Sequence, residues 1–345
     1  MSTDLRIGFL GTGGIANVHG RALAKQPGAK IVALCDRAIE KARAFNAAHA
    51  GGAARTHADF AEMLKAGGMD ALYVCLPPGA HGGETEAAAK AGLHLYLEKP
   101  IALALERGRS IHKAVRAAGV TCVIGHHYRH AAAVVRLKAM IADGRAGTPA
   151  LFQGRFLCNA LHGAWWRDPA MGGGQLVEQA IHVYDLARHF LGEARAVTAF
   201  AGNLLHAGQP DYRVDDTSAA TILFAGGSIG SIAASNGAVP REWATSFDVV
   251  CRHVTASFRS PTEATFVHTD GMTSETSWAK SIEPRREEVA GGRDPYEEAA
   301  RNFLAAVRGE EAGRSDIDDG LRGLELVLGA LASARAGGAP QRLEA

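Results

Sequence analysis

Three side chains that could move a proton occur at helical spacing near the middle of the chain. Glu178 and His182 are four residues apart and Asp185 follows three later, so in a helix all three share roughly one face. A neutral imidazole can accept an alcohol proton near neutral pH, which makes His182 a candidate general base. Glutamate and histidine at this spacing also form ordinary helix-surface ion pairs. The spacing alone leaves both interpretations open.

A lysine stands where the chain leaves an apolar run. Lys99 follows the predicted strand His94–Leu97 and precedes Pro100. Ligands bind at the carboxyl edge of a parallel sheet, where an ammonium group could donate to a reacting oxygen. A solvated loop lysine is the alternative, and taken in isolation it is the better one. The isomer of the Lys99–Pro100 bond stays open, since X–Pro bonds adopt the cis form at low cost.

The turn after the first apolar run has the spacing of a dinucleotide-binding loop, and it reads Gly11-Thr12-Gly13-Gly14-Ile15-Ala16. Its glycines permit a tight turn and a close approach to a pyrophosphate at the start of a helix. Asp36 ends the next predicted strand, where a carboxylate binds ribose hydroxyls and repels a 2′-phosphate. These features predict NAD rather than NADP. The neighbouring Arg37 could instead pair with that phosphate or stack on adenine.

Elements that could position these groups alternate regularly through the first 125 residues. Apolar runs alternate with amphipathic segments, which predicts a doubly wound parallel sheet covered by helices on both faces. The predicted strands are Leu5–Leu10, Lys30–Cys35, Ala53–Thr56, Ala71–Leu76, His94–Leu97 and Val120–Gly125. We assign residues 1–125 to this nucleotide-binding Rossmann domain.

The pattern changes beyond residue 125, where β-leaning stretches joined by tight turns predict a mainly antiparallel sheet. The stretches are Ala150–Asn159, Ala196–Leu205, Thr217–Phe224, Ser228–Ser235 and Ser246–Phe258, with helices at Gln175–Leu191, Pro295–Arg308 and Ile317–Ala336. We assign residues 126–345 to a second, α+β domain. The C-terminal helices could pack back on the first domain.

Charge and cysteine content narrow the class of partner. The 37 basic residues nearly balance the 36 acidic ones, which argues against nucleic acid or an anionic membrane and favours a small molecule. Five cysteines without a Cys-x-x-Cys pair indicate reduced core residues. We see no leader sequence and no membrane-spanning run, so the cytoplasm is the expected compartment.

Three segments carry a family resemblance. They are Val74-Cys75-Leu76-Pro77-Pro78-Gly79-Ala80-His81, Gly92-Leu93-His94-Leu95-Tyr96-Leu97-Glu98-Lys99-Pro100, and the run from Gly172-Gly173-Gly174 through Glu178 and His182 to Asp185. Together with the glycine loop, they resemble the glucose-fructose oxidoreductase, inositol dehydrogenase and rhizopine-catabolism (Gfo/Idh/MocA) family. The resemblance implies a Rossmann domain and a second domain, residues 126–345, that binds substrate and carries a large open sheet. It also implies oligomerisation through that sheet into homodimers or homotetramers.

The resemblance also implies roles for individual residues. Lys99 and His182 match catalytic positions, and Glu178 matches a position usually held by aspartate that contacts the substrate or the histidine. Cofactor contacts are expected from the glycine loop, Asp36 and Arg37, and from Leu76, Pro77, His81, Glu98 and Lys99. His81 is nearly as well explained as a simple cap residue.

Two further clusters have alternative explanations. Trp165 and Trp166, with Arg167, precede the glycine run, and indoles offer apolar platforms to the C–H faces of sugar rings; core packing explains them equally well. His126, His127 and His130 lie close together with Arg129, but adjacent histidines seldom converge on one metal, so we predict no metal site.

These features predict an NAD-dependent oxidoreductase that transfers a hydride to or from a hydroxyl-bearing carbon of a sugar, inositol or related polyol. One alternative is a glycosidase-like enzyme that oxidises its sugar transiently and regenerates NAD. The other is a nucleotide-binding sensor or scaffold that has lost turnover, which the fold alone does not exclude.

Overall fold

The structure, a computed structural model, describes residues 4–272 and 283–344. The described residues form two compact units. The first comprises the chain up to His130 together with Asp294–Leu324, and the second comprises Ala131–Arg293 and the chain from Glu325 onward. None of the helices in these described ranges is long and apolar enough to cross a membrane.

A six-stranded parallel sheet forms the centre of the first unit. Its strands are β1 (Leu5–Leu10), β2 (Ala29–Cys35), β3 (Arg55–His57), β4 (Ala71–Val74), β5 (His94–Leu97) and β6 (Cys122–Ile124). They lie in the order β3-β2-β1-β4-β5-β6. The strand order reverses between β1 and β4, and in doubly wound sheets ligands bind beyond the carboxyl ends of the strands at this point. The predicted parallel sheet is confirmed.

Helices cover this sheet because its central strands are apolar on both faces; every residue of β4 is buried. The helices are α1 (Gly14–Ala24), α2 (Ile39–His49), α3 (Phe60–Ala66), α4 (Glu84–Lys90) and α5 (Leu105–Ala118). Local signals set their ends. The Asp59 side chain accepts from the Glu62 amide at the start of α3, and Gly119 ends α5 in the left-handed conformation.

The second unit contains a nine-stranded sheet. Its strands are β7 (Pro149–Asn159), β8 (Ala194–Gly202), β9 (Thr217–Phe224), β10 (Ile229–Pro240), β11 (Ala244–Cys251), β12 (Val254–Ser260), β13 (Glu263–His268), β14 (Arg285–Ala290) and β15 (Gln341–Arg342). The order is β14-β13-β12-β11-β7-β10-β9-β8-β15, antiparallel throughout except for the parallel pair β7 and β10. The predicted mainly antiparallel sheet is therefore confirmed.

Helices α6 (Ala132–Ala142), α7 (Ala164–Arg167) and α8 (Ile181–Leu191) also belong to the second unit. Helix α8 packs on β7, where Gly154 leaves room for the Val183 side chain. Two helices follow the sheet: α9 (Pro295–Val307), which packs on α1 in the first unit, and α10 (Ile317–Arg335). The Asp294 carboxylate accepts from the Tyr296 and Glu297 amides and so caps α9.

Burial along β9 alternates strictly. Ser218, Ala220, Ile222 and Phe224 are buried, and the residues between them face the other side of the sheet. This period of two shows that one face of the sheet is covered and the other is open to solvent.

The structure corrects the predicted elements of the second unit at three points. The stretch Ser246–Phe258 is not one strand, because the chain turns at Arg252 and His253 and pairs β12 back on β11. Strands β13, β14 and β15 had not been predicted. The segment Gln175–Leu191 is not one regular helix: a π-helical turn over Gln175–Gln179 precedes α8, because the Ala180 amide donates to the Gln175 carbonyl five residues back.

Candidate active site

The glycine loop joins β1 to α1 at the carboxyl edge of the parallel sheet. Gly11 has φ +82°, and a Cβ there would lie 2.5 Å from the Cys75 carbonyl oxygen beyond β4, so the position requires glycine. A Cβ at Gly13 or Gly14 would meet nothing within 4 Å, so open space lies over the first turn of α1. Behind the loop, Ala16 is fully buried. Backbone amides facing open space at a helix start fit a pyrophosphate.

Asp36 orders this loop from the end of β2. Its Oδ2 accepts from the Thr12 amide at 2.9 Å and from the Thr12 hydroxyl at 3.0 Å, and its Oδ1 accepts from the Ala38 amide at 2.9 Å. The carboxylate is only partly buried, and each oxygen can accept a further bond. The exposed Arg37 lies beside it. The loop and this acceptor together fit NAD.

The segment after β5 places Lys99 at the same edge of the same sheet. Lys99 is partly exposed, whereas Glu98 is buried and accepts from His19 of α1 at 2.6 Å and from the Lys99 amide at 3.2 Å. A Cβ at Gly125 would lie 2.8 Å from Glu98 Oε1, so this glycine makes room for the carboxylate. The Lys99–Pro100 bond is cis. The contacts of Glu98 thus tie the lysine segment to the helix of the glycine loop.

Burial by itself would raise the pKa of Glu98. The hydrogen bond from His19 and the nearby charge of Lys99 oppose burial, and the pKa of Glu98 lies below its usual value. Glu98 is therefore ionised at neutral pH. The sequence predicted Glu98 as a cofactor contact but gave no role to His19, a buried histidine in the second turn of α1.

The turn after β4 carries three other predicted cofactor contacts. Leu76 is partly exposed beside Gly11, Pro77 precedes a short 3₁₀ helix, and His81 follows it. Neither ring nitrogen of His81 has a hydrogen-bond partner among the described residues. Burial lowers the pKa of His81 to about 4, so the ring is neutral at pH 7. It is available to donate and accept one hydrogen bond each.

In the second unit, the π turn and α8 carry the predicted acid–base residues. The partly buried Glu178 lies in the π turn, and its Oε2 accepts from the Trp166 indole at 2.8 Å. His182 is the second residue of α8 and is 8% exposed. Asp185 is fully buried and lies 3.7 Å from the Arg188 guanidinium. The charge of Asp185 is thus matched within α8 itself.

The tryptophans separate into one buried and one exposed ring. Trp166 is 2% exposed and packs with Tyr212 and Val214, whereas Trp165 is 42% exposed. The platform hypothesis therefore now concerns Trp165. Arg167 donates to the Leu161 and His162 carbonyls and pairs with Asp211, so it orders the loop before α7.

Two further residues of this region were missed by sequence reasoning. His162 has φ +58°, contacts the Trp166 ring and lies 2.9 Å from the Gln179 amide nitrogen. Its ring centroid is 5.4 Å from that of Trp243, an indole that is 58% exposed. Trp243 is a single tryptophan between β10 and β11, and nothing in the sequence around it distinguishes a ligand-binding indole from an ordinary surface residue.

The histidine cluster after β6 is buried. His127 stacks on Tyr296 at 4.1 Å, and Arg129 donates to Asp319 at 2.8 Å. Burial lowers the pKa of His127 and of His130 to about 3. In the described ranges, no group of three or more histidine, cysteine, aspartate or glutamate side chains is arranged to hold a metal ion.

Comparisons with known proteins extend over both units. Residues 5–126 match the oxidoreductase family with an NAD-binding Rossmann fold, and residues 134–257 match the GFO/IDH/MocA C-terminal domain. The chain is 30% identical over 237 residues to scyllo-inositol 2-dehydrogenase (NAD(+)) of Bacillus subtilis, covering 68% of each protein. It is 27% identical over 343 residues to 1,5-anhydro-D-fructose reductase of Ensifer adhaerens, covering 97% of this chain and 98% of that protein.

Among solved structures, levoglucosan dehydrogenase in complex with NADH and levoglucosan superposes with a TM-score of 0.88 at 20% identity, covering 99% of this chain and all of that one. This likeness concerns the fold. The family is shown by the matches over both units, and the glycine loop and Asp36 agree with it. The chain belongs to the Gfo/Idh/MocA family of NAD-binding oxidoreductases.

Proposed function

We propose that this oxidoreductase uses NAD to oxidise or reduce a hydroxyl-bearing carbon of a sugar, inositol or related polyol. The observation that carries the proposal is the position of Lys99. It follows β5 at the carboxyl edge of the sheet whose glycine loop fits NAD, on a segment fixed by the His19–Glu98 bond. Relatives of this chain include an inositol dehydrogenase and a D-glucoside 3-dehydrogenase of Escherichia coli, the latter 30% identical over 244 residues.

Each proposed residue has one task. NAD supplies the hydride acceptor or donor. The glycine loop binds its phosphates, and Asp36 accepts from the ribose hydroxyls; Leu76, Pro77 and His81 line the same edge. Lys99 donates to the substrate oxygen that reacts, His182 takes or returns its proton, and Glu178 orients a substrate hydroxyl. Trp165 offers its exposed indole to a sugar ring.

The test is a substrate panel followed by absorbance at 340 nm. Inositols, aldoses, deoxy sugars and glucosides would each be offered with NAD, and the corresponding ketones with NADH. We expect stoichiometric NADH formation with at least one polyol class. Product formation with only catalytic NAD would instead identify the glycosidase-like chemistry, and NAD binding without turnover on any member would contradict the proposal.

Asp36 should set the cofactor preference. Asp36→Ala is expected to raise the ratio of kcat/KM with NADP to kcat/KM with NAD by about tenfold or more, because a hydrogen bond to a charged group contributes about 1.5–3 kcal/mol. The variant also loses both Thr12 bonds, so Thr12→Val serves as the control. That control removes only the hydroxyl and should keep the preference for NAD. An unchanged ratio in Asp36→Ala would show that the carboxylate does not contact the ribose.

We also propose that the open face of the nine-stranded sheet binds a second copy of the chain. Phe200, Leu223 and Ile229 lie on three adjacent strands and are 63%, 42% and 48% exposed. Cross-strand pairing puts them on one face, because Phe200 is opposite Ala219 and Ile229 is opposite Leu223. A cavity on this face is lined by Gln153, Phe200 and Thr221 and by none of the candidate catalytic residues.

Phe200→Glu should therefore shift the molar mass from dimer or tetramer towards monomer in light scattering, since a buried charge at an interface is costly. Leu204→Glu is the matched control, because Leu204 is equally apolar and exposed but lies beyond β8 in a loop. An identical mass for all three proteins would place the interface elsewhere. For the compartment we propose the cytoplasm, whose reducing conditions suit five buried free thiols.

A further inference from the structure

The π turn before α8 decides how two candidate catalytic side chains are directed. In a regular α-helix, Glu178 and His182 would project from nearly the same angle. The bond from the Ala180 amide to the Gln175 carbonyl adds a residue to the turn, so Glu178 lies in a wider coil than His182. Single π turns of this kind occur often at functional sites. The direction of the Glu178 and His182 side chains therefore depends on what holds the first residues of the turn.

Asp215 holds those residues. Its Oδ2 accepts from the Leu176 amide at 2.7 Å, and its backbone carbonyl accepts from the Gln175 amide at 3.3 Å. Both amides belong to the start of a helical segment, where they have no acceptor within the helix. Gly174 precedes them with φ +92°, and a Cβ on it would overlap Asp215 Oδ1. Glycine at 174 therefore permits the carboxylate to reach the turn.

A second contact comes from the same segment of chain. The Ser218 hydroxyl donates to Gln175 Oε1 at 3.0 Å, and both side chains are buried. Asp215 lies two residues before β9 and Ser218 lies within it, so the turn is anchored to an interior strand of the sheet. The neighbouring Asp216 has a different task, because its carboxylate accepts from the Leu204, Leu205 and His206 amides.

We propose that Asp215 is a positioning residue for catalysis, which fixes the π turn and thereby directs Glu178 and His182. The proposal rests on the roles assigned to those two residues above. It extends the site to a carboxylate 33 to 37 positions further along the chain, which touches neither reactant. The negative charge at the start of the turn also interacts favourably with the amide dipoles that point towards it.

The ionisation of Asp215 gives the contact a pH dependence. Burial raises the pKa of Asp215 to about 6; the bond from the Leu176 amide opposes the rise, Asp216 adds to it and Arg335 opposes it. Tyr184 also faces Asp215, and burial and that charge raise the pKa of its phenol. As the pH falls through about 6, protonation weakens the bond to Leu176 without removing it, so the positioning effect should be full above this pH and partial below it.

The stability contribution of Asp215 changes with pH in the opposite direction to its effect on activity. Since the folded-state pKa exceeds the ordinary value of about 3.9, the folded protein binds the proton more tightly than the unfolded chain does. The contribution of this group to stability therefore declines as the pH rises from about 4 to about 6. Asp215→Asn removes this decline while keeping an oxygen that accepts from Leu176. Stability and activity thus respond to pH in opposite directions, which separates a positioning role from a purely structural one.

The experiment is a double-mutant cycle between Asp215 and His182. Asp215→Ala should lower kcat by about 10- to 100-fold, because small misplacements of catalytic groups have effects of this size. NAD affinity should not change, since the glycine loop and Asp36 belong to the other unit. In a His182→Ala background, Asp215→Ala should lower kcat by much less than in the wild type, because only Glu178 is then left to be misdirected. Asp215→Asn, which resembles the protonated carboxyl, should recover the part of the rate that the wild type keeps below pH 6, and it should lose the activity change near pH 6.

Asp143→Ala is the matched control, because Asp143 is an exposed, ion-paired aspartate of the same unit and should leave kcat unchanged. Wild-type kcat in Asp215→Ala, or losses that multiply in the double mutant, would overturn the proposal. If the wild type turned over no polyol, only the proposed function would fail. The ¹⁵N shifts of the His182 ring would then decide: they should move in Asp215→Ala and move less in Asp215→Asn. Shifts that do not move in Asp215→Ala would refute the positioning role.

Discussion

Replacing His182 with alanine should lower kcat by about 10²- to 10⁴-fold, the usual contribution of a general base. His182 is the second residue of α8, directly after the π turn, and is almost fully buried. A group in this position can take a proton from a bound alcohol without being solvated by bulk water. NAD affinity should stay within about twofold of wild type, since the residues proposed to bind NAD belong to the other unit.

His189→Ala is a suitable control, because it removes a second imidazole from the same helix. Stopped-flow measurement of NADH formation would give kcat, and fluorescence titration would give the NAD affinity. Partial rescue of His182→Ala by added imidazole would support the role of proton acceptor. A variant that turns over normally but binds NAD poorly would instead place His182 at the cofactor.

Replacing Lys99 with methionine should depress kcat comparably, for a different reason. Methionine keeps an apolar stem of similar length and deletes the charge that would stabilise an alkoxide developing on the substrate oxygen. An alkylammonium is also a poor base at neutral pH, since its ordinary pKa is about 10.4. We therefore expect Lys99 to act as a hydrogen-bond donor and His182 as the proton carrier. Lys99→Arg should recover part of the rate, although its planar fork places the donors differently.

The pH profile distinguishes the two roles. If Lys99 and His182 serve one reacting oxygen, the cation disfavours the protonated imidazole, so Lys99→Met should move the acidic limb of kcat/KM to higher pH. Lys90→Met is the control, because Lys90 is an exposed lysine at the end of α4. Should Lys99→Met abolish the basic limb and leave the acidic limb in place, Lys99 would be the base and the two roles would be exchanged.

Much of the first unit could be predicted because its signals are local. All of the strands from β1 to β6 except the polar β3 contain a short apolar run, and each strand is followed by a turn and a helical segment. Gly11 could be assigned its role because the turn after β1 needs a left-handed residue that passes close to the next strand. Asp36 could be assigned because its place at the end of β2 follows from the topology.

The second unit was harder to predict, since its sheet depends on pairing between distant segments. The run Ser246–Phe258 is apolar enough for one long strand, and only pairing of β12 with β11 and β13 decides where it turns. The π turn at Gln175–Gln179 likewise could not be predicted, because Glu178 and His182 are four residues apart in the sequence with or without it. Its wider coil depends on Asp215, which no periodicity connects to it.

By itself, then, the sequence determined which side chains could do chemistry, the parallel sheet that presents Lys99, and the cofactor that Asp36 suits. The tertiary structure alone decided what fixes those side chains. His19 reaches Glu98 across 79 residues, and Asp215 reaches Leu176 across 39. The Glu98 carboxylate is buried and that of Asp215 is partly buried, and such a group is tolerated only where a donor is already in place. Donors of this kind are supplied by the packing of whole elements, so local sequence cannot reveal them.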